Sequence, residues 1–164
     1  MGEESHRGAW RAAPALIAAA LVLAKAPMLA DPYYWDEVGC YAWQAQVMGQ
    51  LGTRWDAYHG LPFVRPPVVM APAAALLRLG ATPFGLHLFM CAFGALGVLG
   101  TARICRALGG GDRTAALAAA LCAATPLYFA QTGLLQLDLA AAALSAWALG
   151  MLLSGRTVAF ALLG

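Results

Sequence analysis

Residues 12–30 read AAPALIAAALVLAKAPMLA, an apolar run that decides the class of fold. At about 1.5 Å of rise per residue, a helix over this run just reaches across the roughly 30 Å hydrocarbon layer of a bilayer. Arg7 and Arg11 flank the run, and basic flanks stay on the cytoplasmic side of a membrane. The run predicts a first span with a cytoplasmic N-terminus. Lys25 has two interpretations: it snorkels to the headgroups, which we favour, or it presents its ammonium to an anionic ligand.

The composition of the whole chain is that of an integral membrane protein. Of its 164 residues 62% are hydrophobic and only 11% are charged, and the mean hydropathy is +0.69. Soluble domains carry about 25% charged residues. The net charge of +2, with no basic run, excludes nucleic acid as an expected partner. The four cysteines have no paired spacing, so we expect neither a disulfide framework nor a zinc site.

Further apolar segments predict an all-α fold with about four transmembrane helices plus external interfacial helices. We expect the later spans at residues 84–102, 114–131 and 139–153, and the start of another at 157–164. Because the chain ends inside that last run, we interpret residues 1–164 as the N-terminal transmembrane part of a longer, apparently truncated module.

Residues 67–79 are apolar but too short for an ordinary span, and they form either a thin span or an interfacial helix. The charges decide between these alternatives. If the segment crossed the membrane, Arg103, Arg106 and Arg113 would lie outside, against the positive-inside rule. We therefore favour the flat helix, which makes residues 31–83 one external platform.

The most polar and aromatic stretch, residues 31–48, reads DPYYWDEVGCYAWQAQVM. We expect a helix from Asp36 to Met48, on which Glu37, Tyr41, Gln44 and Met48 share one face. Asp36 would sit at the helix N-terminus, where the helix dipole favours a carboxylate. The alternative is that Asp36 and Glu37 are simply an N-cap pair on an interfacial helix.

Two features of the second span are interpreted structurally. Gly94, Gly97 and Gly100 recur every three residues, which lets a neighbouring helix approach closely. His87 is expected to be a hydrogen-bonded helix residue rather than a ligand.

In order along the chain, these features resemble the multi-spanning glycosyltransferases that use lipid-linked sugars, called GT-C, and within them the protein O-mannosyltransferase and lipid A aminoarabinose transferase group. The resemblance rests on an external Asp-Glu pair with a nearby tyrosine (Asp36, Glu37, Tyr41), a Pro-Pro element after Arg65, an arginine-bearing cytoplasmic turn, and Asp138 at the outer start of a later span.

The resemblance implies an inverting transfer of a sugar from a polyprenyl-phosphate donor to a lipid, glycan or protein hydroxyl on the external (periplasmic) face of the cell (inner) membrane. Asp36 would act as the general base, with Glu37 orienting it or an ion, since inversion needs a carboxylate opposite the departing phosphate. Arg65 would bind the phosphate, and Tyr41 and Asp138 are further candidates for substrate binding. No cofactor is certain, and a divalent cation stays an open alternative.

We expect this chain alone to be inactive. The competing interpretation is a non-catalytic polytopic membrane subunit or a transporter fragment, with Lys25 and Asp138 lining a pathway.

Overall fold

The computed structural model describes residues 2–34, 36–52 and 67–155, with side chains from Gly8 onward, and these residues form helices and connecting turns without a strand. The helices are α1 (Gly2–Lys25), α2 (Trp43–Leu51), α3 (Pro67–Arg78), α4 (Pro83–Ala107), α5 (Asp112–Ala124), α6 (Pro126–Gln131) and α7 (Leu137–Leu153). A 3-10 turn, Ala26–Met28, continues α1, and a π-helical segment, Glu37–Ala42, leads into α2. The all-α prediction is confirmed for this part of the chain.

Two helices are long and apolar enough to cross a membrane. They cover Gly8–Met28, with a mean hydropathy of 1.4, and Pro83–Ala107, with a mean hydropathy of 1.8. Two shorter apolar helices accompany them, Pro67–Arg78 and the 17-residue Leu137–Leu153. The predicted further run at residues 157–164 lies outside the described residues.

The segment predicted as a third span, residues 114–131, is divided into α5 and α6 instead of forming one continuous helix. The break falls at Thr125, whose backbone is extended (φ −61°, ψ 121°) and which precedes Pro126. A proline ring disfavours the α conformation of the residue before it, and Pro126 then suits the first position of a new helix. Proline chemistry therefore explains the difference from the predicted span.

The centre of the bundle is α4, which packs against α1, α5 and α7. Its glycines make this possible, because an added Cβ at Gly100 would lie 3.1 Å from the backbone nitrogen of Trp147. An added Cβ at Gly94 would lie 2.7 Å from the Thr132 side chain. The prediction that the glycine series serves close helix packing is confirmed.

One end of the bundle, the basic end, carries Arg11, Arg103, Arg106 and Arg113. Asp112 accepts hydrogen bonds from Arg11 Nε at 3.2 Å and from Arg106 Nε at 2.9 Å. The N-terminal flank and the loop between α4 and α5 therefore lie at the same end, as the charge-based topology requires.

The opposite end is covered by the described part of the predicted platform. There α2 and α3 pack on each other, and their apolar faces meet the first turns of α4 and the connection to α7. The buried side chains of this contact include Met48, Met70, Leu86, Met90 and Leu135. This end therefore has a packed interior of its own, on which polar side chains can be held in fixed positions.

Candidate functional site

Glu37 is the polar centre of the platform end, and its side chain is completely buried. Oε2 accepts a hydrogen bond from the backbone nitrogen of Tyr34 at 2.8 Å. Oε1 lies 3.2 Å from Nε2 of His87 and also accepts from the backbone nitrogen of Leu135. One carboxylate thus joins the segment before α2, the second candidate span and the turn before α7.

The imidazole of His87 is held between two acceptors. Nδ1 lies 3.0 Å from the carbonyl oxygen of Leu29, and Nε2 faces the Glu37 carboxylate. The carbonyl group cannot donate, and neither can Glu37 while it is ionised, so both hydrogen bonds then form together only when both ring nitrogens carry protons. The geometry therefore favours a buried imidazolium paired with a carboxylate. The expectation that His87 is a hydrogen-bonded helix residue is confirmed.

The surroundings of Glu37 keep it ionised. Burial acts to raise its pKa, but the hydrogen bonds from His87, Leu135 and Tyr34 outweigh burial and leave the pKa of Glu37 lower than usual. The nearby Tyr33 ring meets the His87 ring edge to face, with 5.7 Å between the centroids. Burial, and then the charge of Glu37, raise the pKa of Tyr33, so its phenol stays protonated.

Asp36 differs from Glu37 in its exposure and in its hydrogen bonding. Its side chain is exposed, and although it stands at the N-cap position it makes no capping hydrogen bond. Its carboxylate is therefore presented at the surface, directly beside the fixed position of Glu37. The N-cap interpretation gains no support from this geometry.

The helix predicted from Asp36 to Met48 is present, but its first part is π-helical (Glu37–Ala42) and its second part continues to Leu51. Glu37, Gln44 and Met48 are buried and Tyr41 is half-buried. The predicted shared face therefore packs inward.

Lys25 turns into the protein, so the favoured prediction that it snorkels to the headgroups is wrong. Its side chain is only 3% exposed. Nζ lies 3.5 Å from the carbonyl oxygen of Ala130 and 4.1 Å from the centroid of the Phe129 ring. Lys25 lines a small cavity of about 10 Å³ together with His87 and Thr132. That volume is close to the minimum needed to hold one water molecule.

The remaining predicted site residues are Asp138 and Arg65. Asp138 is exposed in the first turn of α7, three residues after Leu135, at the same end as Asp36. Arg65 lies outside the described residues. Within residues 2–34, 36–52 and 67–155, no three side chains of His, Cys, Asp or Glu converge in a way that could hold a metal ion.

Sequence reasoning did not find that Glu37, His87 and the Leu135 backbone form one cluster. These residues lie 50 and 98 positions from Glu37, and no local pattern links them. The only available signal was the presence of a histidine near the start of an apolar helix, since ionisable residues there need partners.

No family model matches this chain, and no characterised protein and no solved structure matches it.

Proposed function

We propose that this chain is the transmembrane part of a glycosyltransferase that takes a sugar from a polyprenyl-phosphate donor and transfers it to a hydroxyl group at the external membrane surface. One observation carries the proposal: the exposed carboxylate of Asp36 adjoins Glu37, which hydrogen bonds fix to two distant parts of the bundle. A general base needs this combination of access to substrate and a rigid support.

In the proposed reaction, the acceptor hydroxyl loses its proton to Asp36 as its oxygen attacks the anomeric carbon. The bond between that carbon and the phosphate oxygen breaks, and the polyprenyl phosphate leaves with the electron pair. Attack opposite the leaving group inverts the configuration. The Glu37 side chain is completely buried and its oxygens already accept three hydrogen bonds, so we assign it to positioning Asp36.

Substrate binding is assigned to the other residues that the resemblance indicates. Asp138 is exposed beside the same cluster, and the half-buried Tyr41 belongs to the π-helical segment that starts at Glu37. Arg65 is retained as the phosphate-binding residue on the resemblance alone. A divalent cation also stays part of the proposal only as an alternative aid to the leaving phosphate.

The proposed topology has four spans, with the Arg11, Arg106 and Asp112 end in the cytoplasm and the Asp36 end outside. The shared location of these basic residues supports it, because loops rich in arginine stay in the cytoplasm. A donor lipid that reaches the outer headgroup region would then meet Asp36 at the membrane surface, where nucleotide sugars are not supplied.

The test is transfer of a radiolabelled polyprenyl-phosphate sugar by membranes that contain the native protein or its variants. Asp36→Asn keeps the shape of the side chain but removes the proton acceptor, and we expect turnover to fall by about 100-fold or more. Asp31→Asn, which removes a carboxylate from the same stretch, serves as the control and should retain most activity. A near wild-type rate for a folded and inserted Asp36→Asn protein would remove Asp36 from the mechanism.

One observation favours a second function, a transporter or a non-catalytic membrane subunit: Lys25, His87 and Glu37 are all buried near one end of a bundle. Buried ionisable residues commonly mark ligand or proton pathways in membrane proteins. Uptake of a labelled anion into proteoliposomes, abolished by Lys25→Met but not by Asp36→Asn, would support this alternative over transfer chemistry.

A further inference from the structure

A cavity with charged walls lies at the basic end, away from the proposed transfer site. It has a volume of about 620 Å³ and opens between α4 and the end of α7. Arg103 and Arg106 line it from α4, and Trp147 and Ser154 line it from the other side. Its volume falls within the range of roughly 300 to 1,000 Å³ that is usual for pockets that bind small molecules.

Arg103 is held in a fixed position in this cavity. Its guanidinium carbon lies 5.3 Å from the centroid of the Trp147 ring, a cation–π arrangement. Its aliphatic stem passes over Gly150, where an added Cβ would lie 3.0 Å from Cδ. Glycine at position 150 therefore provides the space that lets Arg103 lie flat against α7.

One nitrogen of Arg103 lacks an acceptor among the described residues. Its Nε is buried and has no hydrogen-bond partner within the described part of the chain. A buried guanidinium N–H without a partner is costly, so Arg103 keeps this position at a cost in stability.

Among the side chains that the structure describes, the charge at this end is not balanced. Asp112 is shared between Arg11 and Arg106, and no carboxylate pairs with Arg103 among the residues that the structure describes. The basic residues therefore leave positive charge that a multivalent anion with several oxygens would match, and the planar fork of arginine suits phosphate oxygens.

We propose that this cavity binds the phosphate-bearing headgroup of an anionic phospholipid, with Arg103 as the main ligand and Arg106 assisting. The source is a lipid because the cavity opens between two apolar helices, with Leu99 and Leu153 on its walls, at the end of a candidate span. Basic pockets between helices at the cytoplasmic face of membranes bind anionic headgroups. This site does not depend on the proposed transfer reaction.

The test is native mass spectrometry of the full chain purified in detergent and equilibrated with equal amounts of phosphatidylglycerol and phosphatidylcholine. We expect the wild-type chain to retain phosphatidylglycerol preferentially. Arg103→Gln should reduce that preference about fivefold, the usual effect of one basic residue near a membrane surface. Arg103→Lys should keep much of it, because the charge remains.

The matched control is Arg113→Gln, since Arg113 belongs to the same basic end but is exposed and faces the Trp10 ring, 5.8 Å away. This variant should leave the preference within twofold of wild type. An equal loss in both variants would show a diffuse charge effect and overturn the site. Should Arg103→Gln fail to fold, the wild-type result decides, because equal retention of the two lipids also overturns the proposal.

A second arm separates the lipid from a soluble source of the same chemistry. Inorganic phosphate or glycerol 3-phosphate, added at millimolar concentration, should not displace the retained phosphatidylglycerol. Displacement by either at that concentration would assign the cavity to a soluble phosphate compound and overturn the lipid proposal.

Discussion

Replacing Glu37 by alanine is the most informative perturbation of the bundle, because one carboxylate satisfies donors from three separate segments. The change leaves the His87 ring and the backbone nitrogens of Tyr34 and Leu135 without their acceptor. Each unsatisfied buried donor costs about 1 to 3 kcal/mol. Breaking a buried ion pair from one side costs about 3 to 5 kcal/mol. Since these costs overlap, we expect Glu37→Ala to lower the free energy of unfolding by about 3 to 5 kcal/mol.

The isosteric change Glu37→Gln should cost less. The amide oxygen can take the place of Oε1 and keep the bonds to His87 and Leu135. The amide nitrogen then faces the backbone N–H of Tyr34, so one hydrogen bond is lost and two donors oppose each other. We expect a loss of about 1 to 3 kcal/mol.

The neighbouring residue supplies a matched control. Asp36→Ala removes an equally charged side chain that is exposed and makes no capping hydrogen bond, and should change stability by less than about 0.5 kcal/mol. Unfolding of the detergent-solubilised proteins, followed by helical circular dichroism during titration with a denaturing detergent, gives the three values. If the losses in free energy of unfolding for Glu37→Ala and Asp36→Ala differ by less than about 1 kcal/mol, Glu37 does not hold the three segments together.

Three further predictions follow from other parts of the structure. Folding lowers the pKa of Glu37 from 4.5, so its contribution to stability is complete above about that pH and is lost as the pH falls further. The melting temperature should therefore fall more between pH 6 and pH 3.5 for wild type than for Glu37→Gln. Gly100→Ala should destabilise the protein by about 1 to 3 kcal/mol, since the new Cβ meets the backbone at Trp147, whereas Gly8→Ala, with open space around it, should be neutral or slightly stabilising in the same unfolding assay. In a background without native cysteines, an impermeant thiol reagent added outside intact cells should label Leu79→Cys and spare Leu108→Cys, both at exposed positions, and equal labelling would contradict the proposed orientation.

The features predicted well from sequence were those that depend on local pattern. The length of an apolar run set the extent of α4, and the spacing of Gly94, Gly97 and Gly100 indicated helix packing. Thr125 followed by Pro126 carried a local signal for the break between α5 and α6, which hydropathy averaging over the segment conceals.

The inward turn of Lys25 and the pairing of Glu37 with His87 could not be predicted in the same way. For a lysine near the end of an isolated span, extending the side chain to the headgroups has the lowest free energy. In the folded bundle, the Phe129 ring and the carbonyl oxygen of Ala130 contact the Lys25 ammonium instead. Such partners exist only after tertiary packing. The roles of Asp36, Tyr41, Arg65 and Asp138 remain predictions, and the transfer assay with Asp36→Asn addresses the first of them.

The hydrogen bonds of Glu37 can form only one after another while the chain is being synthesised. During translation Glu37 emerges first, the ring of His87 follows 50 residues later, and the backbone nitrogen of Leu135 becomes available only 98 residues after Glu37. Until then the carboxylate has to remain hydrated near the membrane surface, because an unpaired charge is expensive in the bilayer interior. The complete set of hydrogen bonds to Glu37 therefore forms only after the chain has been made as far as Leu135.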